Sequence, residues 1–207
     1  MIGVELFTDW HTWAEAEPEL RSLVPPATFD AVGRAVSFAV RWHGDQRRPT
    51  GAPYLEHLLE ALEVLVRGAR VTDEPVLVAA VLHDVVEDTG CTVAEVRESF
   101  GDEVASLVEW VTIPGASGAS GASGASGADR KSVKEAYLAG LVAAPGNAVL
   151  VKLADRASNV QTLRNLGPSK QREYYAQTVK YIMPLAASRA WFAQWYASWQ
   201  EAHRDLA

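Results

Sequence analysis

The chain has 207 residues, of which 48% are hydrophobic and 22% charged, and its formal net charge is −7. This composition is ordinary for a globular protein, and the acidic balance argues against a nucleic-acid polymer as partner. A single cysteine, Cys91, excludes an internal disulfide. The first residues lack the features of a secretion signal, and no apolar run approaches the roughly 20 residues that span a bilayer. We therefore expect a cytoplasmic protein with no membrane partner.

Residues 1–26 are expected to form an N-terminal segment that packs on the core. Four apolar residues in it have helical spacing and suggest a short helix: Leu6, Phe7, Trp10 and Trp13. Their side chains either cover the core or meet a partner chain. Pro25-Pro26 ends the segment.

Residues 27–207 are expected to form one all-α domain, a helical bundle. Apolar residues recur every three or four positions. This spacing predicts helices over 28–42, 54–66, from near 75 to 88, from 92 to a turn at Phe100-Gly101, and over 102–111, 129–142, 148–166, 168–181 and 184–202. A stripe of Trp191, Trp195 and Trp199 in the last helix indicates core packing or, alternatively, a homo-oligomer interface.

A Gly-Ala-Ser repeat fills residues 115–127. Its small residues have nothing to bury, so we expect a flexible loop over 113–128. Candidate site residues lie on both sides of the repeat, so it need not separate two domains.

The polar loop between the first two core helices contains Arg47, Arg48 and Thr50. Such a loop is usually a connector, but this one has the densest positive charge before residue 130. Arginine binds phosphate through two hydrogen bonds and stacks on planar bases. The loop is therefore a candidate site for an anionic small molecule.

Four groups that bind metal or move protons follow the apolar helix that begins near Pro75: His83, Asp84, Glu87 and Asp88. Residues four apart share one helix face. Three carboxylates and an imidazole beside buried valines would repel one another, and a divalent cation would compensate. The alternative is an exposed acidic helix end with a half-buried histidine.

Two further residues complete a candidate ligand set. His57 lies in the first turn of its helix, where a core or capping role is the alternative. Asp155 follows an apolar run and could instead be a salt-bridge partner of Lys152 or Arg156. Two imidazoles and two carboxylates from three helices suit manganese, iron or zinc, and the oxygen ligands favour Mn²⁺.

The order of these motifs resembles the hydrolase domain of RelA/SpoT-type alarmone enzymes, within the HD-domain phosphohydrolases. The resemblance covers about residues 28–166 and rests on His43-x-x-Gln46-x-Arg48, Gly51-x-Pro53-Tyr54-x-x-His57, His83-Asp84-x-x-Glu87-Asp88-Thr89, Phe100-Gly101 and Lys152-Leu153-Ala154-Asp155-Arg156-x-x-Asn159. It implies an all-α HD-domain fold and manganese-dependent removal of the 3′-pyrophosphate of (p)ppGpp, which gives GDP or GTP. A chain of this length is expected to be a small stand-alone hydrolase.

The resemblance also implies a role for each matching residue. The metal ligands would be His57, His83, Asp84 and Asp155, and the pair that handles the water and its protons would be Glu87 and Asp88. Arg48 would stack on guanine, Thr50 would lie at the substrate edge, and Asn159 and Thr162 would contact the nucleoside or its phosphates. Lys152 and Arg156 would balance the substrate's charge or brace Asp155. Pro49 stands where the family often has a basic residue, and Arg47 is the candidate replacement.

Two rival functions remain open. The first is an HD-type phosphatase that uses the same metal site on another nucleotide, such as NADPH. The second is a metal-free alarmone-binding module, or an antitoxin partner of an alarmone synthetase. The complete ligand set argues against the second, because a pure sensor has no need of Glu87 and Asp88.

Overall fold

The structure is a computed structural model, and it describes residues 4–115 and 127–207. These residues confirm the predicted all-α class: within them the only β-type pairing is one isolated bridge between Arg47 and Pro53. The loop that we predict to be flexible, residues 113–128, lies mainly outside the described ranges.

The helices follow one another with short connections. The α-helices are α1 (Trp13–Leu23), α2 (Pro26–His43), α3 (Leu55–Glu63), α4 (Glu74–Leu82), α5 (Val85–Asp88), α6 (Val93–Val111), α7 (Gly127–Gly140), α8 (Gly146–Gln161), α9 (Pro168–Gln177), α10 (Met183–Ala186) and α11 (Ala190–Ala202). Wider π-type turns extend α3 over Val64–Gly68 and α9 over Thr178–Ile182. Short 3₁₀ turns cover Leu141–Ala143, Leu163–Asn165 and Arg204–Leu206.

Helix α4 lies at the centre of the bundle. The Asp73 side chain caps it by accepting a hydrogen bond from the Val76 amide (3.1 Å). Every residue from position 76 to 82 is buried, and α2, α3, α6 and α8 surround the helix. A helix that is apolar on all sides is stable only inside a core. Its C-terminal end therefore delivers His83 and Asp84 into the interior of the bundle.

The N-terminal segment differs from the predicted short helix. Residues 4–10 are not helical, and α1 begins at Trp13 with a capping box formed by Thr12 and Glu15. The reason is that side chains from the bundle bind the backbone of this segment. The Phe7 amide donates to Gln161 Oε1 (2.8 Å), and the Asp9 amide donates to Glu63 Oε2 (3.1 Å). The Phe7 and Trp10 side chains are buried in the core.

The predicted turn at Phe100-Gly101 is confirmed as a kink within α6. Gly101 has a φ of 87°, in the region that glycine adopts without strain. Two other predicted helices are shorter than expected. The backbone leaves the helical conformation at Thr162, and the last predicted helix is broken by a turn at residues 187–189. In this second break the Arg189 guanidinium donates to the Gly146 carbonyl (2.5 Å), which ties the turn to the start of α8.

The tryptophan stripe of α11 packs into the core. Trp195 and Trp199 are buried, and their indole N–H groups donate to the Glu5 and Val160 carbonyls, each at 2.9 Å. Trp191 lies against Gly68, where any larger residue would collide with the indole ring. Among the described residues, every helix is too short or too polar to cross a lipid bilayer.

Candidate metal centre and active site

His83 and Asp84 occupy the turn between α4 and α5. The turn remains close to helical, because the Asp88 amide still donates to the Asp84 carbonyl (2.8 Å). The Nδ1 atom of His83 lies 2.7 Å from the Ala80 carbonyl oxygen. A carbonyl can only accept, so Nδ1 bears the proton and Nε2 presents a lone pair when the ring is neutral.

His57 projects from the first turn of α3 and is held in the same way from another helix. Its Nδ1 atom lies 2.8 Å from Ser158 Oγ on α8, and the Ser158 hydroxyl donates to Glu60 Oε2 (2.5 Å). Because the hydroxyl proton is directed at Glu60, the serine oxygen accepts from His57 Nδ1–H. The Nε2 atom of His57 is therefore also free to bind a cation.

The predicted ligand set converges. The two Nε2 atoms are 3.0 Å apart, and Asp84 Oδ2 lies 3.2 Å from that of His57 and 3.0 Å from that of His83. Asp155 Oδ1 is 3.4 Å from His57 Nε2 and 3.5 Å from His83 Nε2. His57, His83 and Asp155 are all buried.

These separations fit a bound divalent cation. Ligands at about 2.1 Å from a metal ion are about 3.0 Å apart at right angles and about 3.4 Å apart at tetrahedral angles. Without a cation, two nitrogen lone pairs would face each other and two carboxylates. Burial disfavours a charged His57, but hydrogen bonds that the charged ring donates to Asp155 and Asp84 outweigh burial and raise the pKa of the ring. The cluster thus favours a positive charge at its centre, which a divalent cation would supply.

Neighbouring side chains hold the two carboxylates. The Tyr54 hydroxyl donates to Asp84 Oδ2 (2.5 Å). On α8, the Lys152 ammonium lies 2.8 Å from Asp155 Oδ2, and the Asn159 amide donates to Asp155 Oδ1 (2.6 Å). Burial by itself raises the pKa of Asp155, but the Lys152 charge and the histidines hold it well below the ordinary range. Asp155 is therefore ionised and oriented for a ligand role.

Glu87 and Asp88 extend the site from α5. Glu87 is half-buried and accepts a hydrogen bond from the Ile113 amide (3.0 Å). Burial raises the pKa of Glu87 to about 7; the Lys152 charge opposes this shift and the Asp84 charge adds to it. A carboxylate with that pKa exchanges protons efficiently near neutral pH. The Gln46 amide reaches Asp88 Oδ2 at 3.5 Å.

The predicted substrate residues are spread around this centre. Arg48 is paired with Glu60 at 2.6 Å, whereas Arg47 is exposed and donates to the Gly51 carbonyl (3.0 Å). Thr50 is exposed in the same loop, and Thr162 is half-buried where α8 ends. Their contacts with a substrate remain predictions.

Positive charge also gathers around the ring of Tyr174 on α9. The Arg156 guanidinium lies 5.0 Å from the ring centre, and the ammonium groups of Lys134 and Lys170 lie 5.5 Å and 5.6 Å from it. Arg156 is buried, and its Nε and Nη1 atoms have no hydrogen-bond partner among residues 4–115 and 127–207. Three cations around one ring are suited to an anionic ligand.

Three residues of the site were not among the predicted site residues: Tyr54, Glu60 and Ser158. The sequence does contain a signal for Glu60, because this glutamate interrupts the apolar run of α3. In the structure its side chain is only 6% exposed. A buried glutamate needs a partner, and here the partners are Arg48 and Ser158. Ser158 gives no such signal, since a serine in a helix is unremarkable.

The comparison with known proteins agrees with this geometry. A model of the HD domain matches residues 35–190.

The chain belongs to the HD-domain family.

Two curated relatives are similar to this HD domain over most of its length. The chain is 36% identical over 167 residues to a probable GTP pyrophosphokinase of Mycobacterium leprae, a match that covers 80% of this chain and 20% of that protein. It is 35% identical over 173 residues to a guanosine-3′,5′-bis(diphosphate) 3′-pyrophosphohydrolase of Aquifex aeolicus, with 82% and 23% covered. The HD domain thus spans about a fifth of the length of these relatives.

One solved structure is similar to this chain over almost all of its own length. It is described as a metazoan orthologue of SpoT that hydrolyses ppGpp and plays a role in starvation responses. The similarity has a TM-score of 0.72 and 27% identity, and it covers 88% of this chain and 98% of that one. The HD domain described here therefore shares nearly the whole of that fold.

Proposed function

We propose that this protein is a divalent-metal-dependent hydrolase that removes the 3′-pyrophosphate of (p)ppGpp and releases GDP or GTP. The observation that carries the proposal is the convergence of the two imidazole Nε2 atoms with the carboxylates of Asp84 and Asp155. The names of the Aquifex relative and of the metazoan structure support the choice of substrate.

The metal ligands in this proposal are His57, His83, Asp84 and Asp155. A divalent cation there supplies Lewis-acid activation of a water molecule and of a phosphoryl oxygen. Two carboxylate oxygens in the set favour Mn²⁺ over softer ions. Lys152 holds Asp155 ionised, and Tyr54 fixes the orientation of Asp84.

Glu87 accepts the proton of the attacking water. Its pKa of about 7 leaves a substantial fraction ionised at neutral pH, and the proton then has a buried acceptor. Asp88, held by Gln46, assists transfer of a proton to the leaving oxygen. These roles use the two carboxylates that are not committed to the cation.

The substrate's phosphates are balanced by cations next to the centre. Arg156 follows Asp155 directly on α8, and its Nε and Nη1 atoms, which have no partner in the described part of the chain, point to an anion that satisfies them. Burial and the Arg156 charge lower the pKa of Lys134, whereas Glu173, whose carboxylate lies 3.7 Å away, opposes this shift. A polyphosphorylated nucleotide supplies further negative charge to these cations.

Incubation of the purified protein with ppGpp, with and without Mn²⁺, tests the proposal. We expect GDP and pyrophosphate only when metal is present, and a Glu87→Gln control that binds Mn²⁺ but turns over at least about 100-fold more slowly. Parallel incubation with NADPH addresses the rival phosphatase. Phosphate release from NADPH without turnover of ppGpp would retain the metal centre and refute the alarmone substrate. Absence of Mn²⁺ binding would refute the metal-dependent mechanism itself.

A further inference from the structure

A chain of hydrogen bonds leads from the loop after α2 to a metal ligand. Arg48 Nη1 lies 2.6 Å from Glu60 Oε1, Ser158 Oγ lies 2.5 Å from Glu60 Oε2, and His57 Nδ1 lies 2.8 Å from Ser158 Oγ. Ser158 is fully buried and Glu60 is 6% exposed. The side chain of Arg48 is 15% exposed, so the whole chain of hydrogen bonds is largely shielded from water.

The proton positions in this chain of hydrogen bonds are determined by Glu60. An ionised carboxylate can only accept, so it receives one hydrogen bond from Arg48 and one from Ser158. The Ser158 hydroxyl therefore donates its proton to Glu60, and its oxygen accepts a hydrogen bond from His57 Nδ1. His57 consequently keeps its proton on Nδ1 and directs the Nε2 lone pair at the centre.

The ion pair also explains why a carboxylate is stable at this position. A buried charge without a partner is costly, and Arg48 compensates the charge of Glu60 in a water-poor environment. Arg48 belongs to the loop between α2 and α3, which is held by backbone bonds from Arg48 to Ala52 and from Tyr54 to Gln46. The loop and the ligand geometry of His57 are therefore physically linked.

We propose that Glu60 is a positioning residue for the metal ion, which acts on His57 through Ser158, and that Arg48 couples the loop after α2 to this action. The inference rests on the metal centre of the proposed function but not on the identity of the substrate. Partners that orient a ligating histidine typically contribute about 10–100-fold to metal affinity.

The decisive experiment is a double-mutant cycle on the Mn²⁺ dissociation constant, measured by calorimetry on metal-free protein. We expect Ser158→Ala and Glu60→Gln each to weaken Mn²⁺ binding by about 10-fold. The Glu60→Gln substitution introduces an amide that can donate to Ser158. The serine oxygen can then accept from the amide, and its hydrogen bond from His57 is no longer enforced. We expect the double variant to bind no more than about 3-fold more weakly than Ser158→Ala, since Glu60 acts through the serine.

Matched controls remove the same groups elsewhere. Glu56→Gln changes a carboxylate on α3 that pairs with His11, and Ser37→Ala removes a hydroxyl that donates to the Gly33 carbonyl. Both should leave the Mn²⁺ dissociation constant within about 2-fold of the original value, because neither touches the chain of hydrogen bonds. Circular dichroism and thermal melting verify that each variant is folded.

The outcomes separate the two proposals. Unchanged Mn²⁺ affinity in Ser158→Ala, or additive losses in the double variant, would overturn the positioning role while leaving the metal centre intact. An original protein that binds no Mn²⁺ would instead overturn the proposed function. If Glu60→Gln does not fold, Arg48→Gln combined with Ser158→Ala provides the same cycle, and additivity there would equally refute the coupling.

Discussion

Replacement of Glu87 by glutamine should make the metal-free protein more stable at alkaline pH. The pKa of Glu87 is raised from 4.5 to about 7, chiefly by burial. A carboxyl group with a raised folded-state pKa binds its proton more tightly in the folded protein than in the unfolded chain. Stability is therefore greatest below the unfolded-state value and falls as the pH rises through about 7. The shift corresponds to a cost of about 3 kcal/mol above that pH.

Urea unfolding in the presence of EDTA measures this cost. At pH 8 we expect the free energy of unfolding of Glu87→Gln to exceed that of the original protein by about 3 kcal/mol, and at pH 5 by less than about 1 kcal/mol. Glutamine retains the oxygen that accepts from the Ile113 amide, so the packing changes little. The exposed Glu98 on α6 provides the control Glu98→Gln, which should show no such pH dependence. An equal gain at both pH values, or a loss at pH 8, would refute the reasoning.

Four further predictions concern the metal centre. Asp84→Ala or His57→Ala should abolish both Mn²⁺ binding, measured by calorimetry, and hydrolysis, because each removes a convergent ligand; retained binding would exclude that residue as a ligand. The rate of hydrolysis should rise with pH and level off as Glu87 ionises, and a rate that falls between about pH 6 and 8 would contradict its role as base. Tyr54→Phe should weaken Mn²⁺ binding by about 10-fold, because Asp84 loses a hydrogen-bond donor; an unchanged dissociation constant would show that the hydroxyl is dispensable. Mn²⁺ at about 100 times its dissociation constant should stabilise the folded protein by about 2.7 kcal/mol, and a melting temperature that does not depend on Mn²⁺ would argue against a specific site.

Prediction from the sequence was most accurate for helices and turns, which depend on residues close together in the chain. Helical periodicity predicted the bundle, and the Phe100-Gly101 pair predicted the turn in α6, because neighbouring residues determine both features. The same rule failed for residues 6–10, where Gln161 and Glu63 supply backbone partners from distant helices. Such partners have no signature within the segment itself.

For the site, residue chemistry predicted which side chains come together, but it did not predict the residues that surround them. The four predicted ligands meet although they come from three different parts of the chain: the start of α3, the end of α4 and the interior of α8. The roles of Glu60 and Ser158 depend on which helices face each other, and 98 residues separate them in the chain. Only the three-dimensional packing of α3 on α8 reveals that relation.

The position of the four proposed metal ligands along the chain has a consequence for how the molecule could be divided. Three of them precede the Gly-Ala-Ser stretch, and Asp155 follows it. A chain cut within that stretch would leave two fragments that each carry an incomplete coordination set. Their reassembly would then depend on the packing of α8 against α3, α4 and α6 and on a shared ion. A metal ion bound by ligands from both fragments would hold them together reversibly. Association of the fragments would then depend on the ion and could be used to detect it.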